Sequence, residues 1–192
     1  MKHVYNVSLY VLIIICVSCS TKQQLELAEL YPIIPSPQEI TYGSKELNLT
    51  ATYIVPNQFI EAAELLTKFL IKKGIQQQKE GLKISFEKIS TLKNKEAYLL
   101  EITDKIVVKA NTAKGAFYGV QTLKQLFRKT DNNASFPKIN IKDWPAFKVR
   151  GFMHDTGRNF QSVDLLKEQL EIMAQYKYNV YHWHLTDNPG WR

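Results

Sequence analysis

The segment from Lys148 to Leu185 constrains this chain more than any other. It reads as a strand (Lys148 to Asp155), a helix (Val163 to Tyr176) whose apolar Leu166, Leu170 and Met173 recur at helical spacing, and a second strand (Asn179 to Leu185). Two strands joined through a helix of this length run parallel, with a right-handed crossover. One such unit cannot bury both faces of its sheet, so it belongs in a larger parallel assembly. A closed barrel of eight units takes about 250 residues, whereas the whole chain has 192. The expectation is that residues 146–192 open a (β/α)8 TIM barrel and that the sequence is the front part of a longer protein.

The stretch before it has a different rhythm. Three prolines between Tyr31 and Pro37 force extended backbone and feed an edge strand. Short strands follow at Glu46 to Leu49 and Thr52 to Val55. From Phe59 to Lys73, Ile60, Ala63, Leu66 and Leu70 mark one buried helical stripe, closed by Gly74. Leu82 to Phe86 alternates apolar and polar residues. Ala97 to Ile102 and Ile106 to Val108 read as a hairpin turning at Thr103-Asp104-Lys105, Thr112 opens a second helix with Ala116, Val120, Leu123 and Phe127 on one face, and Phe136 to Ile141 supplies a last strand. This order predicts an α+β domain over residues 31–143, a sheet with two helices on one face. Its acids, histidines and hydroxyls converge on no site, so it reads as a structural partner of the barrel, with Phe117, Tyr118 and Phe127 in its core. The break falls at Asp143-Trp144-Pro145, where a proline interrupts the strand pattern.

The N-terminus has a short basic start, an apolar stretch from Val4 to Val17, and Ser18-Cys19-Ser20, which together read as an export signal over residues 1–18 and a leader or linker over 19–30. Cys19 sits where a bacterial lipobox carries its lipidated cysteine, with Cys16 where leucine is usual. An ordinary signal peptide with an incidental cysteine is the alternative. The expected location is outside the cytoplasm, on a membrane through a lipid anchor on Cys19. Because Cys16 and Cys19 are the only cysteines, the body has no thiol for a disulfide, a zinc site or a nucleophile. Twenty-five Lys and Arg against 18 Asp and Glu give a net charge of +7. The lysines are spread thinly, without a basic run or interleaved aromatics, so no nucleic-acid partner is expected.

Chemistry is expected in two loops at the C-terminal ends of the parallel strands, where barrel enzymes keep their catalytic groups. The first holds His154, Asp155, Thr156, Gly157, Arg158 and Asn159, and the second His182, His184, Asp187, Asn188, Trp191 and Arg192. His182 and His184, two apart on a strand, share a face and could serve a metal-dependent barrel hydrolase. Histidines hydrogen-bonded in a barrel wall are the plainer reading. Arg158 offers a planar fork of donors suited to adjacent sugar hydroxyls, with Asp187 as a facing carboxylate, and a salt bridge between neighbouring loops is the alternative.

The run Arg150-Gly-Phe-Met-His-Asp-Thr-Gly-Arg-Asn-Phe, then Tyr176-Lys-Tyr-Asn-Val-Tyr-His-Trp-His-Leu-Thr-Asp and Gly190-Trp-Arg, resembles the opening of the catalytic barrel of glycoside hydrolase family 20, the β-N-acetylhexosaminidases. Pro35-Ser-Pro, the stretch Thr112-Ala-Lys-Gly-Ala-Phe-Tyr-Gly-Val-Gln-Thr-Leu and Asp143-Trp-Pro resemble that family's small N-terminal domain. The resemblance implies release of terminal N-acetylglucosamine or N-acetylgalactosamine from glycans with retention, the substrate's 2-acetamido oxygen acting as nucleophile, and no cofactor or metal. It implies that Arg158 binds the sugar's ring hydroxyls and that Asp187 supports the general acid through a histidine. The Asp-Glu pair that does the central chemistry is expected on later strands, since no Asp-Glu dipeptide occurs in these 192 residues. The chain alone is therefore expected to be inactive, and a non-catalytic glycan-binding lipoprotein on the same scaffold is the alternative. Departures from the family pattern at His154, Asn159 and Asn188-Pro189 point to a divergent branch and leave the choice of sugar open.

Overall fold

The computed structural model describes residues 24–55, 58–131, 133–188, 190 and 191. The export signal and Cys19 lie outside the described residues, as do Pro189 and Arg192. In chain order the elements are α1 (residues 24–30), β1 (Glu39–Asn48), β2 (Ala51–Val55), α2 (Ile60–Lys72), β3 (Gln76–Gln77), β4 (Leu82–Lys88), β5 (Tyr98–Ile102), β6 (Ile106–Ala110), α3 (Ala113–Leu126), β7 (Arg128–Lys129), β8 (Ala134–Asp143), β9 (Gly151–Asp155), α4 (Val163–Gln175), β10 (Val180–His184), β11 (Thr186–Asp187) and β12 (Gly190–Trp191).

The first unit is one mixed sheet in the order β1-β8-β5-β6-β4-β2-β3, with β7 paired to β8. Its β1, β8, β5 and β6 neighbours pair antiparallel, whereas β6-β4-β2-β3 pair parallel. Helices α2 and α3 lie against each other and against this sheet, which is the expected α+β arrangement. Local sequence explains both helices. The side chain of Thr112 accepts a hydrogen bond from Gly115 N–H at 3.3 Å and so caps α3, and Gly74 leaves α2 at φ 79°, a backbone region that other residues occupy at a cost. Leu66 and Leu70 of α2 and Val120 and Leu123 of α3 are fully buried against Ile84, Phe86, Leu100 and Val108 of the sheet. Each such side chain contributes about 1.5–3 kcal/mol relative to an exposed one. Tyr118 and Phe127 are buried as expected, while Phe117 is only partly buried.

Residues 24–30 form helix α1 where the sequence reads as a polar leader. Leu27 packs on the core, and the Gln24 amide pairs in both directions with the backbone of Tyr42, at 2.7 and 2.9 Å. Strand β1 also begins earlier than its apolar pattern suggests, with a register shift between Tyr42 and Glu46 that breaks the alternation.

Strands β9 and β10 pair in parallel from Gly151↔Val180 to Asp155↔His184, and α4 connects them. The Ser162 hydroxyl accepts from Leu165 N–H at 3.3 Å and caps α4. Leu166 and Met173 are buried as expected, but Leu170, placed on the same stripe, is 44% exposed. Two strands are too narrow a platform to cover the flank of that stripe. Two polar knots hold this unit to the first. Arg150 donates to Glu96 at 2.6 Å and to the backbone carbonyls of Lys177 and Phe147 at 2.7 and 2.8 Å. The Lys177 ammonium enters a buried group, 2.9 Å from Asp143 Oδ2 and 3.0 Å from the Tyr98 hydroxyl.

Candidate active site

The register of β9 and β10 decides which side chains meet. Asp155 is paired with His184 and Met153 with His182, so these four share one face of the two-stranded sheet. His154 lies on the opposite face, where its Nδ1 is 3.1 Å from the Tyr181 hydroxyl. The three histidines of this region therefore do not converge. Among the described residues no three His, Cys, Asp or Glu side chains gather in a way that could hold a metal ion.

Both strands end level with each other. Thr156 N–H and Gly157 N–H donate to the His184 carbonyl at 3.0 and 3.3 Å, and Trp183 Nε1 donates to Thr156 Oγ1 at 2.8 Å. These bonds set the first loop directly against the second. Gly157 is the close approach: a Cβ there would lie 3.2 Å from Asp187 N and from the Thr186 carbonyl carbon, both backbone atoms. Beyond Thr186, strands β11 and β12 turn back on each other, pairing Asp187 with Gly190.

This packing brings together Arg158 and Asp187, the two residues singled out in the sequence. The Arg158 side chain donates through Nε to Asp187 Oδ2, and Nε is also 3.3 Å from Asp155 Oδ2. Asp187 Oδ1 accepts from Asn188 N–H at 2.8 Å. Asp155 Oδ1 accepts from Arg158 N–H at 3.0 Å, and its Oδ2 is 3.5 Å from His184 Nδ1. Asp155 thus links the arginine to the histidine, a role the sequence reading did not assign it. The signal was parity: Asp155 and His184 are each the last residue of their strand, and Asp155 lies three residues before Arg158.

The electrostatics follow from these contacts. The hydrogen bond from Arg158 holds the Asp187 carboxyl below the ordinary carboxylate range, and the Asn188 N–H adds to it. The backbone N–H of Arg158 does the same for Asp155, helped by His184. The Arg158 guanidinium is raised, first by its bond to Asp187 and then by the charges of both carboxylates. The result is one cation between two anions on an exposed rim, and among the described residues the remaining guanidinium N–H groups have no partner. Such a group can bind and orient hydroxyls. It offers no proton to a leaving group, because arginine stays charged and both carboxyls are held ionised.

Comparison with known proteins puts both parts of the chain in one class, the glycosyl hydrolases. Residues 30–144 match glycosyl hydrolase family 20, domain 2, and residues 147–192 match glycosyl hydrolase family 20, catalytic domain. The chain belongs to glycosyl hydrolase family 20. It is 32% identical to a beta-hexosaminidase of Porphyromonas gingivalis over 91% of this chain and 26% of that protein. It is 33% identical to an N,N'-diacetylchitobiase of Vibrio harveyi over 83% of this chain and 19% of that protein. Among solved structures it is similar to a family 20 exo β-N-acetylglucosaminidase from Vibrio harveyi in complex with N-acetylglucosamine, with a TM-score of 0.75 and 29% identity over 84% of this chain and 26% of that one. A β-N-acetylhexosaminidase from Bacteroides fragilis superposes with a TM-score of 0.70 and 31% identity over 83% of this chain and 34% of that one. The chain spans only about a fifth to a quarter of the length of these two curated relatives.

Proposed function

We propose that these residues are the N-terminal part of an exo-acting β-N-acetylhexosaminidase that removes terminal N-acetylglucosamine or N-acetylgalactosamine from glycans. The observation that carries the reading is the meeting of Arg158 and Asp187 at the C-terminal ends of two parallel strands, in a chain whose two parts match the two family 20 domains in order. Residues 31–143 form the supporting α+β domain, and residues from 146 onward form the first unit of a (β/α)8 barrel. Further strands would cover the apolar side chains now exposed, among them Phe147, Phe160 and Trp191.

In this reading Arg158 donates to the ring hydroxyls of the terminal sugar. Asp187 holds the guanidinium in plane and supports the general acid through a histidine on a later strand. The acetamido oxygen of the substrate attacks C1 while a glutamic acid of a downstream Asp-Glu pair protonates the departing glycosidic oxygen. The same glutamate then takes a proton from the water that opens the cyclic intermediate, and the anomeric configuration is retained. Neither cofactor nor metal takes part, and the Arg158–Asp187 pair needs neither. Residues 1–18 direct export, and lipidation of Cys19 holds the protein on a membrane.

A second reading, glycan binding without catalysis, is equally served by an arginine clamp. Turnover separates the two. The full-length gene product should hydrolyse a chromogenic N-acetyl-β-glucosaminide, and proton NMR should show the β-anomer released first. Stoichiometric sugar binding without turnover, in a protein with no downstream Asp-Glu pair, would overturn the enzyme in favour of the binding protein.

A further inference from the structure

Away from the candidate site, four basic residues, Lys73, Lys124, Arg128 and Lys129, line one concavity of about 450 Å3 floored by Phe69 and Phe127. Two of them have local explanations. Arg128 donates to the carbonyls of Gln125 and Phe127 at 2.9 and 3.2 Å, and Lys129 donates to the Lys73 carbonyl at 2.5 Å, so both neutralise helix C-termini. Lys73, the residue that ends α2, and Lys124, in the last turn of α3, also lie at helix C-termini. Their ammonium groups stand 5.8 and 5.7 Å from the centroid of the same ring, Phe69. Among the described residues, none of the four has a carboxylate at ion-pair distance. Glu171 acts on Lys124 at longer range, against burial and the neighbouring Lys72, which together lower its pKa. The four side chains give the concavity one sign of charge, which an external anion complements.

Position in the fold says which anion. Arg128 Nη2 donates to the Leu30 carbonyl at 3.1 Å, so the concavity adjoins the end of α1. From Leu30 back to Gln24 the helix rises about 9 Å, and the five residues from Gln24 to Cys19 reach at most about 17 Å. A lipid on Cys19 would keep this surface within reach of the bilayer. Gln175, the last residue of α4, lines the concavity, whereas Arg158 and Asp187 lie at the other ends of the strands that α4 connects, so the helix length of about 20 Å separates the two surfaces.

We propose that this basic concavity docks on the anionic headgroups of a lipid surface, leaving the candidate sugar site facing away from the membrane. The orientation rests on the lipid-anchor reading of Cys19, while the charge complementarity does not. One acyl chain gives only marginal membrane binding, and a basic surface supplies the second signal.

The test uses the full-length protein from Ser20 onward, which carries neither the apolar export segment nor a lipid, and vesicles of phosphatidylcholine alone or mixed with phosphatidylglycerol. This protein should bind the mixed vesicles in a salt-sensitive way. The triple variant Lys73→Gln, Lys124→Gln, Lys129→Gln should weaken that binding about a hundredfold, at about fivefold per lysine. Removing equal charge at exposed Lys83, Lys93 and Lys105 should cost less than about tenfold, since binding there would be diffuse. Equal losses in the two triples, no preference for phosphatidylglycerol, or displacement by soluble glycerol phosphate would overturn the docking surface. Mass measurement of the native chain checks the anchor separately: an unmodified Cys19 removes the proposed tether and leaves the vesicle result standing.

Discussion

Replacing Lys177 with methionine should loosen the β9–α4–β10 unit from the sheet it rests on. The ammonium is buried with Asp143, the two side chains being 7% and 9% exposed, and the pair shares a network with Tyr98 and Thr122. Burial lowers the pKa of Lys177 against the pull of Asp143, and burial together with Asp143 raises the Tyr98 hydroxyl well above its ordinary value. Lys177→Met leaves Asp143 with the Tyr98 hydroxyl and the Gln38 N–H at 3.3 Å, but no countercharge. Orphaning one member of a buried pair costs about 3–5 kcal/mol, whereas replacing both members is often close to neutral. Lys177 also stands at φ 62°, so Lys177→Gly returns about 1 kcal/mol of backbone strain while losing the same ammonium. Urea unfolding and hydrogen exchange at α4 and β10 should rank Lys177→Met as most damaging and Lys177→Gly as milder. Adding Asp143→Leu to Lys177→Met should recover at least about 2 kcal/mol of the loss. A methionine variant within about 1 kcal/mol of the parent, or strict additivity with Asp143→Leu, would mean that the buried pair does not hold the two units together.

Three further outcomes are expected. Gly157→Ala should destabilise the chain by about 1–3 kcal/mol, because its new methyl meets backbone on the second loop; an unchanged urea midpoint would mean that the loop yields freely. Asp155 and Asp187 have folded pKa values below their unfolded ones, so the stability they contribute is complete above the ordinary aspartate value of about 3.9 and is lost as pH falls through the lowered values. A carboxyl NMR titration placing either midpoint at or above the ordinary value would contradict the ion cluster. These 192 residues alone should not turn over an N-acetyl-β-glucosaminide, and activity within about tenfold of the full-length protein would mean that the proton donor has been assigned to the wrong part of the sequence.

Much of the first unit was legible because its signals are local. The stripe Ala63, Leu66, Leu70 and the cap at Thr112 each act within a few residues, and α2 and α3 formed where they point. Helix α1 was hidden because seven residues carry too short a stripe, and its stability comes from Leu27 and Gln24 reaching distant partners. Leu170 misled because periodicity reports a stripe without reporting what covers it. Lys177 was illegible for another reason. A left-handed position after a helix predicts glycine, and only the distant Asp143 and Tyr98 explain a lysine there. At the site, Arg158 and Asp187 could be named from their loops, whereas Asp155 needed the register that pairs it with His184.

In the proposed function Arg158, held by Asp187 and Asp155, grips the terminal sugar. Steady-state kinetics of the full-length protein with Arg158→Met, at unchanged circular dichroism, measure that grip. Losing the charge-assisted hydrogen bonds to hydroxyls should lower kcat/KM for an N-acetyl-β-glucosaminide at least about a hundredfold. A variant within about threefold of the parent would contradict that role, and would leave the arginine as a tie between two loops.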